Sequence, residues 1–153
     1  MVHELFSLRE QPHHLPTVAD WIYREWWAGT DTQIEAIERW LSTHLHESGF
    51  PTTIVVVAGG RLAGSVSLHE TEAEDRPAYR PYLAALFVEP KSRGRGFGVA
   101  LVHAAEACAS QLGQSAVYLN ADVPVTPFSE RLGWKVVERG YGLKRLNIMQ
   151  RRL

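Results

Sequence analysis

The sequence predicts an α/β fold of the α+β type, with helices on both faces of a mixed, mostly antiparallel sheet of about seven strands. Segments rich in β-branched and aromatic residues alternate with segments whose apolar residues recur at helical spacing, in the order β-α-α-β-β-β-α-β-α-β-β. Neither a repeat nor a linker divides the chain, so we expect residues 1–153 to form a single domain.

The first third of the chain is predicted to contribute one strand and two helices. Apolar and polar residues alternate at about residues 2–9, which indicates a strand. Apolar residues at i, i+3 and i+4 spacing predict an amphipathic helix over residues 12–28. Thr30 or Asp31 can cap a second helix, which is expected to end at residues 48–51.

The middle of the chain is predicted to form a β-hairpin, a third strand and a long helix. The hairpin strands cover residues 52–58 and 61–68 and are joined by the turn Gly59–Gly60. An acidic loop without periodicity covers residues 69–80 and leads into a strand at residues 81–89. The long helix is expected over residues 98–112.

The C-terminal part is predicted to contain three strands and one short helix. The first strand covers residues 115–120, and a helix of about two turns, limited by Pro127, covers residues 124–132. A strand then starts at Gly133, and a last strand is expected at residues 143–150.

The composition is that of an ordinary globular protein without a dominant charge. Hydrophobic residues make up 45% of the chain and charged residues 22%, and the net charge is −1. That charge excludes an overall basic surface of the kind that duplex nucleic acid requires. The single cysteine, Cys108, excludes an intrachain disulfide and is expected in the core. We expect a cytoplasmic protein, because neither a membrane span nor a signal peptide is apparent.

The most informative stretch is Leu83–Ala100, in which an apolar strand leads through a loop of arginines and glycines into a helix. Backbone N–H groups at the start of a helix lack intrahelical partners, and the helix dipole favours an anion there. The three glycines within Gly94–Gly98 allow a positive φ or a close approach to a ligand. Arg93 and Arg95 add planar donors suited to phosphate oxygens. The stretch therefore predicts a phosphate-binding site.

Two segments resemble the GCN5-related N-acetyltransferase (GNAT) family. In that family a strand ending V-x-P leads into R/Q-x-x-G-x-G/A, which here reads Leu86–Pro90 followed by Arg93–Gly98. Downstream, the family has a strand, an asparagine, a short helix and a Y-E-(K/R)-L-G-F block. Here these elements read Val117–Asn120 and Ser129–Trp134. The element order is also similar, so the resemblance covers nearly the whole chain and implies the acyl-CoA N-acyltransferase fold.

The resemblance implies acetyl-CoA as the acetyl donor. Its pyrophosphate is expected on the N–H groups at the start of the long helix, and its pantetheine arm along the preceding strand, where the family has a β-bulge. Asn120 matches the position of an amide that contacts the pantetheine or the nearby backbone. The implied cofactor-binding residues are Leu86, Phe87, Val88, Arg93, Gly94, Arg95, Gly96, Phe97, Gly98, Val99 and Asn120.

The catalytic residues are less clearly indicated. Ser129 stands where the family commonly has a tyrosine that acts as general acid toward the departing thiolate. Serine is a far weaker acid than a phenol of pKa about 10, but a thiol of pKa about 8.5 departs readily as thiolate. Ser129 therefore remains a candidate that would hydrogen-bond the sulfur, directly or through water. Tyr118 and Tyr141 are other phenols, which the sequence does not place at the sulfur.

The acceptor amine also needs a base. An alkylamine of pKa about 10.4 is neutral in only about one part in 2,500 at pH 7, which costs roughly 4.6 kcal/mol. Glu70, at the end of the second hairpin strand, is the first candidate to collect its proton, through water, and His69 is the second.

Two patterns fit more than one role. The acidic residues within 70–75 are either a solvated loop paired with Arg76 and Arg80 or an acidic mouth that attracts a cationic amine. The three tryptophans within residues 21–27 either pack in the core or form a wall of the acceptor pocket. Their spacing indicates that at least one lies at the surface.

The sequence thus predicts an acetyl-CoA-dependent N-acetyltransferase in which an amine of a small molecule or peptide attacks the thioester directly. The alternative, motivated by Ser129, is a non-catalytic acyl-CoA-binding or regulatory module on the same fold. We expect no metal, because the neighbouring histidines face different ways, and no nucleic-acid or membrane partner. The terminal strand could pair across a homodimer.

Overall fold

Seven strands and four α-helices make up the computed structural model, which describes residues 2–46 and 49–153. The strands are β1 (His3–Ser7), β2 (Thr52–Ala58), β3 (Arg61–His69), β4 (Tyr82–Val88), β5 (Ala116–Ala121), β6 (Lys135–Tyr141) and β7 (Leu146–Arg152). The helices are α1 (Leu15–Ile22), α2 (Ile34–Ser42), α3 (Phe97–Gln111) and α4 (Val125–Arg131).

The strands form a mixed sheet in the order β1-β2-β3-β4-β5-β7-β6. β4 and β5 run parallel. Antiparallel pairing joins β1 to β2, β5 to β7, and β6 to β7. The predicted fold class and the predicted order of elements are confirmed.

The chain forms two compact units, each built from two segments. The first unit combines Met1–Ser67 with Ala85–Ala105, and the second combines Leu68–Ala84 with Glu106–Leu153. The boundary within β4 falls at Ala85, whose φ of 52° lies in the left-handed region that alanine rarely adopts. This distortion agrees with the strand bulge that the family resemblance implies. The single domain over residues 1–153 stays a prediction.

In the first unit, helices cover both faces of the strands. On one face, apolar side chains of α1 and α2 pack against Leu8 and Val55. On the other face, Val56 of β2 and Leu101 of α3 both lie beside Gly64 of β3. Because successive strand residues point to opposite faces, Val55 and Val56 place α1 and α2 on one side of the strands and α3 on the other.

In the second unit, aromatic residues from three strands and one loop form the core. Tyr82 of β4 and Tyr118 of β5 are paired in register, and both are buried with Ile148 of β7. Tyr79, in the segment before β4, stacks on Tyr118 with ring centroids 5.0 Å apart. The rings therefore hold the start of β4 against β5.

The segment between β3 and β4 is fastened to β6 by an ion-pair network. Arg76 donates from Nε to Oε1 of Glu138 at 3.0 Å and from Nη2 to Oε2 at 2.8 Å. Its Nη1 lies 3.0 Å from Oδ2 of Asp75, and the Tyr141 hydroxyl donates to Oδ1 of the same carboxylate. The Tyr141 hydrogen bond lowers the pKa of Asp75, and the Arg76 hydrogen bonds lower the pKa of Glu138. The segment is thus held by charge as well as by aromatic packing.

The C-terminal hairpin departs from the prediction. Gly140 and Tyr141 extend β6, and the turn occupies residues 142–145, where Arg145 adopts a φ of 50°. The last strand therefore begins at Leu146 rather than at residue 143. β7 lies between β5 and β6, so both of its edges are paired. The prediction that the terminal strand pairs across a dimer is wrong, because β1 and β6 are the edge strands.

The two N-terminal helices are shorter than predicted. Residues 12–14 form a 3-10 turn before α1, and Tyr23–Trp27 form a π-helical turn after it, closed by a bond from Ala28 N to Tyr23 O at 2.7 Å. Thr30 caps a turn instead of α2, because its hydroxyl accepts a hydrogen bond from Thr32 N at 3.2 Å. Part of the predicted end of the second helix, Ser48, lies outside the described residues.

The three tryptophans within residues 21–27 lie in different environments, as their spacing indicated. Trp21 packs against the apolar cluster of the first unit, whereas Trp26 and Trp27 are 42% and 41% exposed. The prediction that at least one of the three tryptophans lies at the surface is confirmed.

A Gly64→Ala substitution is expected to destabilise the fold by about 1–3 kcal/mol, the usual cost of overpacking. The added Cβ would lie 2.7 Å from the Phe87 carbonyl oxygen and 3.1 Å from Cδ1 of Leu101, and the first of these is backbone that cannot move away locally. The control Gly59→Asn replaces a glycine at a φ of 58° with no atom within 4 Å, a conformation that asparagine tolerates. Urea unfolding measures both variants, and equal stability of Gly64→Ala and the unmodified chain would contradict the packing described.

The contribution of Glu138 to stability is expected to depend on pH. Its pKa is lowered in the folded state below the ordinary value of 4.5, so its contribution is present above that value and is lost as the pH falls through the folded pKa. Glu138→Gln should therefore lower the free energy of unfolding at pH 7, and the deficit should shrink in acid. The control is Glu130→Gln, an exposed carboxylate of α4. A deficit that stays constant down to pH 3 would show that the ion pair is not its cause.

Candidate active site

The first turn of α3 carries the backbone donors that the sequence predicted. The first hydrogen bond within the helix runs from Ala100 N to Gly96 O at 3.0 Å. The N–H groups of Phe97, Gly98 and Val99 precede it and have no acceptor within the helix. The helix begins one residue earlier than expected, at Phe97, so these donors and the positive end of the helix dipole lie together.

The glycine loop leaves the space beside these donors open. Gly94 and Gly96 adopt φ values of 79° and 84°, and no atom lies within 4 Å of the Cβ that either would carry. Glycine populates this region freely, whereas a residue with a Cβ is strained there. The loop and the first turn together form a concave arrangement of main-chain donors, which is how proteins bind phosphate groups.

The two arginines of the loop have different surroundings. Arg93 donates from Nε to the Val88 carbonyl oxygen at 2.9 Å, and its guanidinium carbon lies 5.6 Å from the centre of the Phe87 ring. Arg93 thus fastens the loop to β4. Arg95 is exposed between the two left-handed glycines and lines a cleft of about 290 Å³. The prediction that both arginines contact phosphate stays a prediction.

The predicted pantetheine strand is half-buried and held from both sides. Leu86, Phe87 and Val88 are only partly buried, and the Phe87 ring lies 5.3 Å from the ring of Trp21. The end of the strand is fixed to β3 by a bond from Glu89 N to Ala63 O at 2.8 Å. These contacts fix the end of β4 within the first unit.

In the second unit, Asn120 has a buried acceptor without a donor. Its Oδ1 atom is buried and makes no hydrogen bond with any residue that the structure describes. An unsatisfied buried carbonyl of this kind costs about 1–3 kcal/mol, so it indicates a donor that the protein itself does not supply. The amide N–H groups of a pantetheine arm are such donors. The side chain therefore fits the role that the family resemblance implies.

Ser129 lies inside α4 with its side chain almost fully enclosed. The residue is 2% exposed, and its backbone oxygen accepts hydrogen bonds from Leu132 N at 3.0 Å and Trp134 N at 3.1 Å. α4 begins after Asp122, whose Oδ1 accepts a bond from Val125 N at 3.0 Å. The burial leaves Ser129 little direct access to a ligand.

The two candidate bases are exposed or paired. Oε2 of Glu70 lies 3.5 Å from Nη1 of Arg80, and its side chain is 66% exposed. Nε2 of His69 lies 3.2 Å from Oε1 of Glu72. Together with the Asp75–Arg76 pair, these contacts favour the solvated loop with arginine partners over an acidic mouth.

The sequence interpretation missed Tyr82 and the basic residues of the cleft. The Tyr82 hydroxyl is fully buried and has no hydrogen-bond partner within the described ranges, and burial raises its pKa well above the ordinary value. Arg61 and Lys91 line the cleft together with Arg95. The sequence did contain a signal for Arg61, which directly follows the Gly59–Gly60 turn. If the strand that starts there runs antiparallel to β4, its first residues lie beside the end of β4.

The described residues contain neither a metal-binding cluster nor a membrane-spanning helix. No group of three or more histidine, cysteine, aspartate or glutamate side chains is arranged to hold a metal ion. No helix there has the length and apolar character needed to span a bilayer.

Comparisons with known proteins identify the family and similar folds. Residues 13–134 match the model of the acetyltransferase (GNAT) family. A search of curated proteins found no match.

Solved structures of similar fold cover the whole chain. A putative acetyltransferase from Salmonella typhimurium, yncA, solved with acetyl-CoA, has a TM-score of 0.75 at 15% identity, covering 100% of this chain and 95% of its own. Ard1 from Thermoplasma volcanium has a TM-score of 0.74 at 16% identity, covering 100% and 99%.

A third structure is that of mutant forms of the spermidine/spermine N-acetyltransferase SpeG from Vibrio cholerae. It has a TM-score of 0.71 at 18% identity and covers 99% of this chain and 95% of its own. Because the family match covers most of the sequence, the chain belongs to the acetyltransferase (GNAT) family, whose enzymes use acetyl-CoA as cosubstrate.

Proposed function

We propose that this protein is an acetyl-CoA-dependent N-acetyltransferase that transfers the acetyl group directly to an amine of a small molecule or peptide. The observation that carries the proposal is the start of α3, where three main-chain N–H groups without helical acceptors follow two left-handed glycines with open space beside them. A pyrophosphate carries the charge and the oxygens that such an arrangement binds.

Main-chain and side-chain groups of the chain would bind the cosubstrate. The N–H groups of Phe97–Val99 would hold the pyrophosphate, and the main chain of Leu86–Val88 would pair with the pantetheine amides. Asn120 supports the same assignment, because its buried Oδ1 needs a donor. Acetyl-CoA supplies an activated acetyl group and a thiol leaving group. A main-chain N–H near Phe87 or Val88 would polarise the thioester carbonyl.

The acceptor amine would take the acetyl group without an acetylated enzyme. A C–N bond forms, the C–S bond breaks, the thiol leaves as thiolate, and the amine proton passes to a base. Cys108 is an unsuitable nucleophile, since it lies partly buried within α3. Glu70 is proposed as the base through water, with His69 as the second candidate. Because Ser129 is buried, it is proposed to hydrogen-bond the sulfur through water.

The acceptor is proposed as a class of compound rather than as one amine. The spermidine/spermine acetyltransferase is similar in fold, but its 18% identity does not carry its substrate to this chain. Glu70 and Asp75 are paired with Arg80 and Arg76, and Glu72 lies against His69, which weakens the argument for a polycation. The proposal therefore extends to amines as a class.

Replacing Gly96 with valine is expected to weaken acetyl-CoA binding at least tenfold. A β-branched residue cannot adopt the φ of 84° without strain, and its side chain would fill the space beside the N–H donors. The matched control is Gly113→Val at the other end of α3, where φ is 81° and no atom lies within 4 Å of the added Cβ. Calorimetric titration compares the two variants. Unchanged affinity in Gly96→Val would refute the phosphate cradle.

Thiol release tests catalysis and the base together. Acetyl-CoA and a panel of primary amines, peptides and aminoglycosides should release CoA thiol above the rate without acceptor. Glu70→Gln should lower kcat at least tenfold with little change in the acetyl-CoA KM, whereas Glu74→Gln, an exposed carboxylate of the same loop, should not. Micromolar binding without thiol release from any acceptor would favour the non-catalytic acyl-CoA-binding module instead.

A further inference from the structure

A basic cleft adjoins the glycine loop in the first unit, and of its lining residues only Arg95 and Phe97 have a role in the proposed acetyl-CoA site. Its walls come from the β2–β3 turn, the 3-10 turn Pro90–Ser92 and the start of α3. Three cations line it, and Glu89 is its only carboxylate among the described lining residues. The cations are Arg61, Lys91 and Arg95. The cleft thus has a formal charge of +2 in a protein whose net charge is −1.

Backbone contacts, rather than a ligand, place these cations together. The bond from Glu89 N to Ala63 O at 2.8 Å joins the end of β4 to β3, two residues after Arg61. The bond from Ser92 N to Glu89 O at 2.8 Å then folds the chain so that Lys91 lies in the turn beside that junction. The cleft is therefore formed by the fold itself.

Two of the cations have no counterion in the part of the protein that the structure describes. Among residues 2–46 and 49–153, neither Arg61 nor Lys91 forms an ion pair, although carboxylates and arginines pair throughout the second unit. Like charges brought together repel one another, so such a cluster in a protein of nearly zero net charge is best explained by an anionic ligand. Its volume of about 290 Å³ is sufficient for a phosphorylated sugar.

The cleft continues into the proposed pyrophosphate cradle. Arg95 and Phe97 belong to both, because Arg95 lies between Gly94 and Gly96 and Phe97 opens α3. A ligand bound in the cleft would therefore lie beside a pyrophosphate on the first helical turn. In CoA, the group next along the molecule from the pyrophosphate is a ribose that carries a phosphomonoester, with a charge near −2 at neutral pH.

From this arrangement we propose that Arg61, Lys91 and Arg95 bind the 3′-phosphate of the CoA ribose and make the enzyme select CoA over 3′-dephospho-CoA. The inference rests on the proposed function, because it takes the pyrophosphate to be on α3. The carboxylate of Glu89 repels the phosphate and thereby limits the affinity for CoA. The product CoA can therefore be released. The selectivity is electrostatic and falls with added salt.

The test compares CoA with 3′-dephospho-CoA by calorimetric titration against the purified full chain. The unmodified protein should bind CoA at least tenfold more tightly. Arg61→Ala and Lys91→Ala should each reduce that ratio about threefold or more, mostly through weaker CoA binding, while affinity for 3′-dephospho-CoA stays nearly constant. Glu89→Gln should increase the ratio. Lys144→Ala, which removes one positive charge in the exposed turn between β6 and β7, serves as the matched control.

The outcomes separate this inference from the function on which it rests. Equal affinity for the two ligands, or a preference that survives both substitutions, would overturn the 3′-phosphate site while leaving the pyrophosphate cradle intact. Failure of both ligands to bind the unmodified protein would overturn the proposed function itself. Inorganic phosphate that binds the cleft without competing with CoA would also overturn the proposal, because a separate phosphate ligand would then be its occupant.

Discussion

The close contact of β3, β4 and α3 at Gly64 is the constraint on which the phosphate cradle depends. A Cβ at this position would lie 2.7 Å from the Phe87 carbonyl oxygen and 3.1 Å from Leu101, so only glycine lets the strand and helix approach this closely. Leu101 is fully buried one turn after the start of α3. The same contact therefore fixes both the strand proposed to receive the pantetheine and the helix start proposed to receive the pyrophosphate.

The charged residues have different surroundings in the two units. In the second unit, Arg76 is paired with Asp75 and Glu138, and Arg80 is paired with Glu70, so part of the acidic charge after β3 is balanced within the protein. In the first unit, Arg61, Lys91 and Arg95 line a cleft in which Glu89 is the single carboxylate among the described lining residues. The net charge of −1 conceals this local excess of positive charge, because it sums over the whole chain.

The sequence predicted the elements whose signals are local. Strand–loop–helix order and the left-handed glycines of the loop were readable, because glycine spacing and apolar periodicity depend on near neighbours. The interior position of β7 was not, because strand order is decided by long-range pairing. The partners of Glu70 and the burial of Ser129 were also unreadable, since both depend on side-chain packing. The position of Arg61 beside the cleft becomes apparent only when β3 is paired with β4.

A crystal structure of the protein with acetyl-CoA bound would locate the pyrophosphate relative to the start of α3. We expect its oxygens within hydrogen-bond distance of the N–H groups of Phe97, Gly98 and Val99, and a pantetheine donor on Oδ1 of Asn120. A well-ordered cosubstrate whose pyrophosphate makes no contact with the first turn of α3 would overturn this assignment.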